Sequence, residues 1–184
     1  TFNDVKKVSN CTVITGTAGS GKSTLMKHLF LSSFQHSDKL PIFVELRDIK
    51  EDDLNVVEFI YSAMQNNNFN LDIECFNKML SYGKFAFFLD GFDEIPIKIQ
   101  KNVATQIVNT SSKHHGNIFV ITSREDMEFS SWNTFHEFSV MPLTKEKAKA
   151  LIKKLEYNDA TKKIFSQKLE EELLAKEVEY KEIK

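Results

Sequence analysis

Two rhythms of apolar positions alternate along this chain. One is a short, nearly continuous run: residues 12–15 (Thr-Val-Ile-Thr), 41–46 (Pro-Ile-Phe-Val-Glu-Leu), 85–90 (Phe-Ala-Phe-Phe-Leu-Asp) and 118–122 (Ile-Phe-Val-Ile-Thr), with a weaker fifth near 135–140. The middle three are apolar at almost every position, as strands covered on both faces are. The other rhythm is helical. Residues 24–35 carry Leu25, Leu29 and Phe30 at helical spacing, and 54–65 align Leu54, Val57, Ile60, Tyr61 and Met64. Residues 72–82 align Ile73, Phe76, Met79 and Leu80, and 98–113 align Ile99, Val103, Ile107 and Val108. Gly83 stands where a helix ending near Tyr82 calls for a left-handed residue. Strands alternating with helices predict an α/β fold, a five-stranded, mainly parallel sheet with helices on its faces.

After Pro142 only the helical rhythm continues. Thr144 suits the N-cap of a helix over 145–155, with Glu146 in its first turn. A second helix is expected from Asp159 onward, with a partial stripe of Ile164, Phe165, Leu169, Leu173 and Val178. The expected organisation is therefore a core over 1–143 and the start of a helical subdomain over 144–184. No internal repeat or low-complexity tract interrupts it.

Composition changes this picture little. At 41% hydrophobic and 27% charged over 184 residues, the chain suits one globular domain with a sizeable core. A net charge of −2 gives no overall attraction to nucleic acid. No basic stripe interleaved with aromatics marks single-strand binding either. The charge is uneven, −4 over 1–144 and +2 over 145–184, where lysines lace a helix face. The sequence has no apolar stretch of about 18 residues and no secretory leader, so a cytoplasmic protein without membrane contact is the default. Cys11 and Cys75 have no metal-site spacing and read as two small core residues of a reduced protein. The sixteen Phe residues read as core and sheet-face filling. The chain opens without Met and ends in an uncapped helical pattern, as a segment of a longer protein would.

The first chemistry lies between the run at 12–15 and the helix that follows. Gly16-Thr17-Ala18-Gly19-Ser20-Gly21-Lys22-Ser23-Thr24 matches G-x-x-x-x-G-K-[ST], the phosphate-binding loop of nucleotide triphosphatases. Its glycines permit tight turns and close backbone approach. Successive backbone N–H groups then form an anion nest opening onto a helix N-terminus. Lys22 is the expected point charge for the β and γ phosphates, and the Ser23 hydroxyl a Mg2+ ligand.

A second site follows the run at 85–90, which ends Leu89-Asp90-Gly91-Phe92-Asp93-Glu94. A carboxylate at the C-terminal edge of a parallel strand lies where open α/β sheets bind ligands. Asp90 is the candidate for the carboxylate that holds the metal's water shell opposite Ser23. Asp93 and Glu94 add two acids within one turn, and either is a candidate to orient the attacking water. Capping of the helix after Pro96 is the plainer role for them. The run at 118–122 ends Thr122-Ser123-Arg124, and Arg124 is placed to sense the γ-phosphate through a charge-assisted hydrogen bond. Its plainer alternative is a surface pair with Glu125 or Asp126. Arg47, the only other arginine, has no clear assignment, and none of the five histidines has metal-site spacing.

These residues resemble a family. Asp90-Gly91-Phe92-Asp93-Glu94 after a hydrophobic strand is similar to the extended Walker B box of NACHT domains, with a small residue after the metal Asp and two acids further on. Residues 16–24 look like the family's Walker A. Residues 41–48 resemble its second-strand motif, Ile121-Thr122-Ser123-Arg124 its sensor 1, and Met141-Pro142-Leu143-Thr144 its last strand and helix entry. The resemblance covers about 10–150 closely. It implies a P-loop NTPase with strand order 5-1-4-3-2, binding ATP or ADP with Mg2+. It also implies a switch of the STAND class, resting with ADP and self-associating in the parent protein with ATP. Such proteins serve innate-immune, antiphage or other signalling, through a trigger that this sequence does not name. Elements that hold the base are expected outside this segment, so it is expected to bind nucleotide weakly by itself.

The leading expectation is a slow, Mg2+-dependent ATPase that resets a switch. The usual P-loop enzyme puts a catalytic Glu directly after the metal Asp, and here that place is Gly91. A small-molecule kinase is the alternative, but its arginine-rich lid is hard to build from two arginines. A non-hydrolysing ATP-binding scaffold is the third.

Overall fold

The computed structural model describes residues 1–50 and 55–182, without the side chains of His36 and 172–182. Its described residues form two compact units, Thr1–Met141 and Pro142–Lys184. The first holds a five-stranded sheet: β1 (Cys11–Thr15), β2 (Leu40–Glu45), β3 (Phe85–Asp90), β4 (Ile118–Thr122) and β5 (His136–Ser139). Their order is β2-β3-β4-β1-β5. This is the expected order read from the other edge, and every pair is parallel.

The strands send alternate residues to two apolar layers. One face presents Val13, Ile42, Val44, Phe85, Phe87, Leu89, Phe119 and Ile121 to α3 (Val56–Asn66), α4 (Ile73–Ser81) and α5 (Ile97–Lys113). The other presents Ile14, Ala86, Phe88, Ile118 and Val120 to α1 (Phe2–Val8) and α2 (Lys22–His36). The near-continuous apolar runs are thus explained: helices cover both sides. Aromatic rings knit the first layer, with Phe76, Phe85, Phe87 and Phe119 stepping across it at centroid spacings of 5.0–5.4 Å.

The elements form where the pattern places them, with ends adjusted by caps. Asn55 caps α3 by accepting from the N–H groups of Val57 and Glu58, and Asp72 caps α4 by accepting from Glu74. Leu54, read onto the α3 stripe, lies outside the described residues. After α4, Gly83 takes φ +64°, with Gly83 N–H donating to Leu80 O and Lys84 N–H to Met79 O. That pair of bonds is a Schellman motif, which closes the helix and turns the chain into β3. Asn117 ties the same end of the sheet together. Its amide donates to Leu80 O (2.8 Å) and His114 O (2.9 Å), and its carbonyl accepts from Phe85 N–H (3.0 Å).

Three readings need correction. Helix α1 precedes the first strand, where no element was expected; its buried Phe2 packs on Phe88. A seven-residue helix with one fully buried side chain leaves almost no periodic signal. Cys11 is buried but Cys75 is exposed. The α4 stripe buries Phe76 and Leu80, and the 100° step per residue turns position 75 toward solvent. Phe34, Phe69 and Phe165 are likewise exposed rather than core.

In the second unit, α6 (Lys145–Lys154) starts at Thr144, whose hydroxyl accepts from Lys147 N–H. Helix α7 (Asp159–Glu182) joins it through an ion pair between Lys149 and Glu170, and Tyr157 in the connection between them meets the Phe165 ring. That pairing with Lys149 holds the exposed Glu170 carboxyl below its ordinary range. The stripe positions Leu173 and Val178 have side chains outside the described set.

Candidate functional site

Parallel register brings the C-terminal ends of the strands level. Glu45 lies beside Asp90, Leu89 beside Ile121 and Ile14 beside Thr122. The residues just beyond these ends line one cleft of about 420 Å³.

The loop after β1 forms its floor. Gly19 and Gly21 have φ of +74° and +92°, a region closed to most L-residues. Helix α2 starts at Lys22 with Gly21 as N-cap, no side-chain cap bond and no acid in its first turn. Its leading N–H groups and its dipole therefore face the cleft without a protein anion to satisfy them. The Lys22 ammonium donates to Gly16 O (2.7 Å) and Thr17 O (2.9 Å), which holds it over the loop. Ala18, Gly19, Gly21, Lys22, Ser23 and Thr24 line the cleft. Gly16, Thr17 and Ser20 do not; the buried Ser20 hydroxyl, without a partner among the described residues, would lie 2.8 Å from a Cβ on Gly16. This loop fits a phosphate chain: N–H donors, a lysine and no competing carboxylate.

The opposite wall is Asp90, Gly91, Asp93, Glu94, Thr122 and Arg124. The structure thus gathers the acids and Arg124 against the loop, and it separates the two acids whose roles the sequence left open. Asp93, whose side chain is 12% exposed, has both oxygens engaged by one residue: Arg124 N–H reaches Oδ1 (3.0 Å) and Arg124 Nε reaches Oδ2 (3.0 Å). Glu94 is exposed, and its carboxyl carbon lies 3.3 Å from where a Cβ on Gly91 would stand. Neither acid caps α5, whose N-cap is Pro96. Arg124 pairs with neither Glu125 nor Asp126 in the described contacts but with Asp93. Arg47 is elsewhere, paired with Glu45 on the edge strand and lining a separate groove beside β2.

Two features escaped the sequence reading. Thr122 accepts from Gly91 N–H (2.8 Å) and donates to the Asp90 carboxylate. A hydroxyl residue ending the strand next to the acidic strand is the signal that could have revealed it. Behind the acids, Phe92 packs against Phe129 (5.6 Å) and Trp132 (5.3 Å, edge-on), with Phe135 edge-on to Trp132 beyond. The single turn Phe92–Glu94 that carries both acids is therefore clamped by an aromatic cluster.

The donor chemistry also fits a hard divalent cation. Ser23 hydroxyl and Asp90 carboxylate share the cleft, and both are oxygen ligands of the kind Mg2+ takes. Among the described residues no cluster of three or more His, Cys, Asp or Glu could cage a metal without help. A cation here would complete its shell with water or phosphate oxygens.

Residues 10–159 match the NACHT domain model. The chain belongs to the NACHT family. A comparison with curated proteins finds no match. Among solved structures, AMPPCP-bound DnaA from Aquifex aeolicus superposes with a TM-score of 0.53 at 13% identity, over 95% of this chain and 58% of that one. Cdc6p from Pyrobaculum aerophilum gives 0.52 at 11%, over 77% of this chain and 41% of that one. A DnaA replication initiator bound to AMPPCP and single-stranded DNA gives 0.52 at 13%, over 98% and 62%. At these identities the likeness is one of fold, and this NACHT domain spans less than two thirds of each neighbour's length. Among the described residues no helix is long and apolar enough to cross a membrane.

Proposed function

We propose that this NACHT domain is the ATP/ADP switch of a larger signalling or defence protein. It binds ATP with Mg2+, hydrolyses it slowly, and lets its parent self-associate in the ATP-bound form. The observation that carries the reading is the divided acid pair across from the loop. Both oxygens of Asp93 accept from Arg124, while the Glu94 carboxylate, beside Gly91, has no partner among the described residues.

Each residue then has a task. The loop N–H groups of 16–24 and Lys22 bind the phosphates. Ser23 and Asp90 would hold Mg2+, which draws charge off the phosphate oxygens when bound. Glu94 orients and deprotonates the attacking water, because among the described residues it alone of the pair has a carboxylate with no partner. Asp93 anchors Arg124 so that its remaining N–H groups face the γ-phosphate and register its loss. The exchange of a phosphate for this contact is what links nucleotide state to the position of the segment after β4.

The test measures nucleotide binding, phosphate release and phosphoryl transfer side by side. Lys22→Ala is expected to abolish binding. Glu94→Gln is expected to bind ATP like the parent but to lose turnover about 100-fold, the usual scale of one acid–base group. Light scattering of the parent protein should show larger species with ATP than with ADP. Transfer of the γ-phosphoryl to a small acceptor would overturn the switch in favour of a kinase. ATP binding with no turnover in any variant would favour a scaffold.

A further inference from the structure

The bridge made by Thr122 reaches beyond that reading and rests on it. A hydroxyl has one proton to give. Gly91 N–H can only donate, so at 2.8 Å the Thr122 oxygen must accept from it. The single hydroxyl proton is then directed to Asp90 Oδ1, the second contact of the same atom. The direction of both bonds is thus fixed by chemistry rather than by choice of rotamer.

Three consequences follow for Asp90. Its Oδ1 already accepts the Thr122 proton, so Oδ2, which has no partner among the described contacts, is the oxygen better placed for a metal or a metal-bound water. Its carboxylate is tied to the end of β4, a different strand, and therefore cannot swing freely about its own side-chain torsions. The donor is almost wholly buried, at 1% exposure, so water does not compete for the bridge. Gly91 adds to this. With φ +80° it turns the chain sharply just beyond the N–H that donates to Thr122.

We propose that Thr122 is the positioning residue for the metal-binding carboxylate. It presents Asp90 Oδ2 to the divalent cation and couples the cation site to the strand that carries Arg124. The role belongs to the hydroxyl and not to the methyl group. It concerns the cation and not the phosphate loop, which Thr122 does not touch in any described contact.

The test compares Thr122→Val, which keeps the shape and removes the hydroxyl, with Thr122→Ser, which keeps the hydroxyl. A fluorescent ATP analogue is titrated into the 184-residue chain in EDTA and in excess Mg2+, and exchange of the Gly91 amide is followed without nucleotide. In EDTA all three proteins are expected to bind alike. Thr122→Val is expected to need about tenfold more Mg2+ for the Mg2+-dependent gain in affinity, the scale seen when a ligand's outer partner is removed. Its Gly91 amide should exchange faster, and Thr122→Ser should restore both readouts. If Thr122→Val does not fold, Thr122→Ala takes its place with the same expectations.

An unchanged Mg2+ requirement in Thr122→Val, or a Thr122→Ser as defective as Thr122→Val, overturns this inference alone. A parent chain that gains no affinity from Mg2+ overturns both this inference and the nucleotide reading beneath it.

Discussion

Single residues set the chemistry of the cleft, and Gly91 shows how narrowly. Its φ of +80° costs a side-chain-bearing residue about 1–2 kcal/mol, and a Cβ there would press on the Glu94 carboxyl at 3.3 Å. Gly91→Ala is therefore expected to lower the unfolding free energy by that amount and to slow phosphate release more than it weakens ATP binding. Thermal unfolding and turnover measured together check both halves. A variant as active as the parent would show that Glu94 does not depend on the space beside it. The types and order of these residues were readable from the chain because a phosphate nest and a strand-end carboxylate each have a local pattern. Which of Asp93 and Glu94 is committed was not, since the partner is the backbone N–H of Arg124, 31 residues away and one strand over. Thr122 escaped for the same reason: its two bonds depend on the register between β3 and β4.

At the scale of elements, the end of the sheet opposite the cleft is held by close backbone approach. A Cβ on Gly83 would lie 2.5 Å from the backbone of Gly116, on a residue whose φ is +64°. Asn117 closes the same junction with three hydrogen bonds. Asn117→Ala orphans the buried Phe85 N–H and takes one of their bonds from Leu80 O and His114 O, which keep backbone donors; it is expected to cost about 1–3 kcal/mol, read from denaturant unfolding, without moving the nucleotide affinity. His114 gives this junction a pH dependence. Burial, with a lesser push from Lys113, holds its imidazole below the ordinary range. The folded state thus binds the proton less readily than the unfolded one. The stability this gives is present above the unfolded pKa and is lost as pH falls through the folded one. Unfolding midpoints should drop as pH goes from about 7 to about 5, and His114→Gln should flatten that slope. A slope identical in the variant would place the effect elsewhere. Elements such as β3 and α3 were legible because runs and stripes are local. Helix α1 was not, because its one buried anchor, Phe2, is recognised only by the Phe88 ring it meets.

For the whole molecule, all five strands and both apolar layers fall within Thr1–Met141. A chain ending at Met141 is therefore expected to unfold cooperatively with the strand signal of the parent, measured by circular dichroism. Loss of cooperative unfolding would mean that the remaining helices are required for the sheet to form. The strand order was legible only through the family resemblance, because ending at one edge does not say which strand lies beside which, and β4 separates the P-loop strand from the acid-ended one. The aromatic clamp behind the acids was not, since Phe92, Phe129 and Trp132 converge only in the folded chain. That clamp also makes the molecule its own optical probe. Trp132 is the sole indole in the sequence, 5% exposed, and its ring meets the first residue of the turn that bears Asp93 and Glu94. Its emission colour and anisotropy therefore report on the aromatic cluster that holds that turn. Occupancy of the cleft can be followed in real time on the unlabelled protein, with no dye to disturb it.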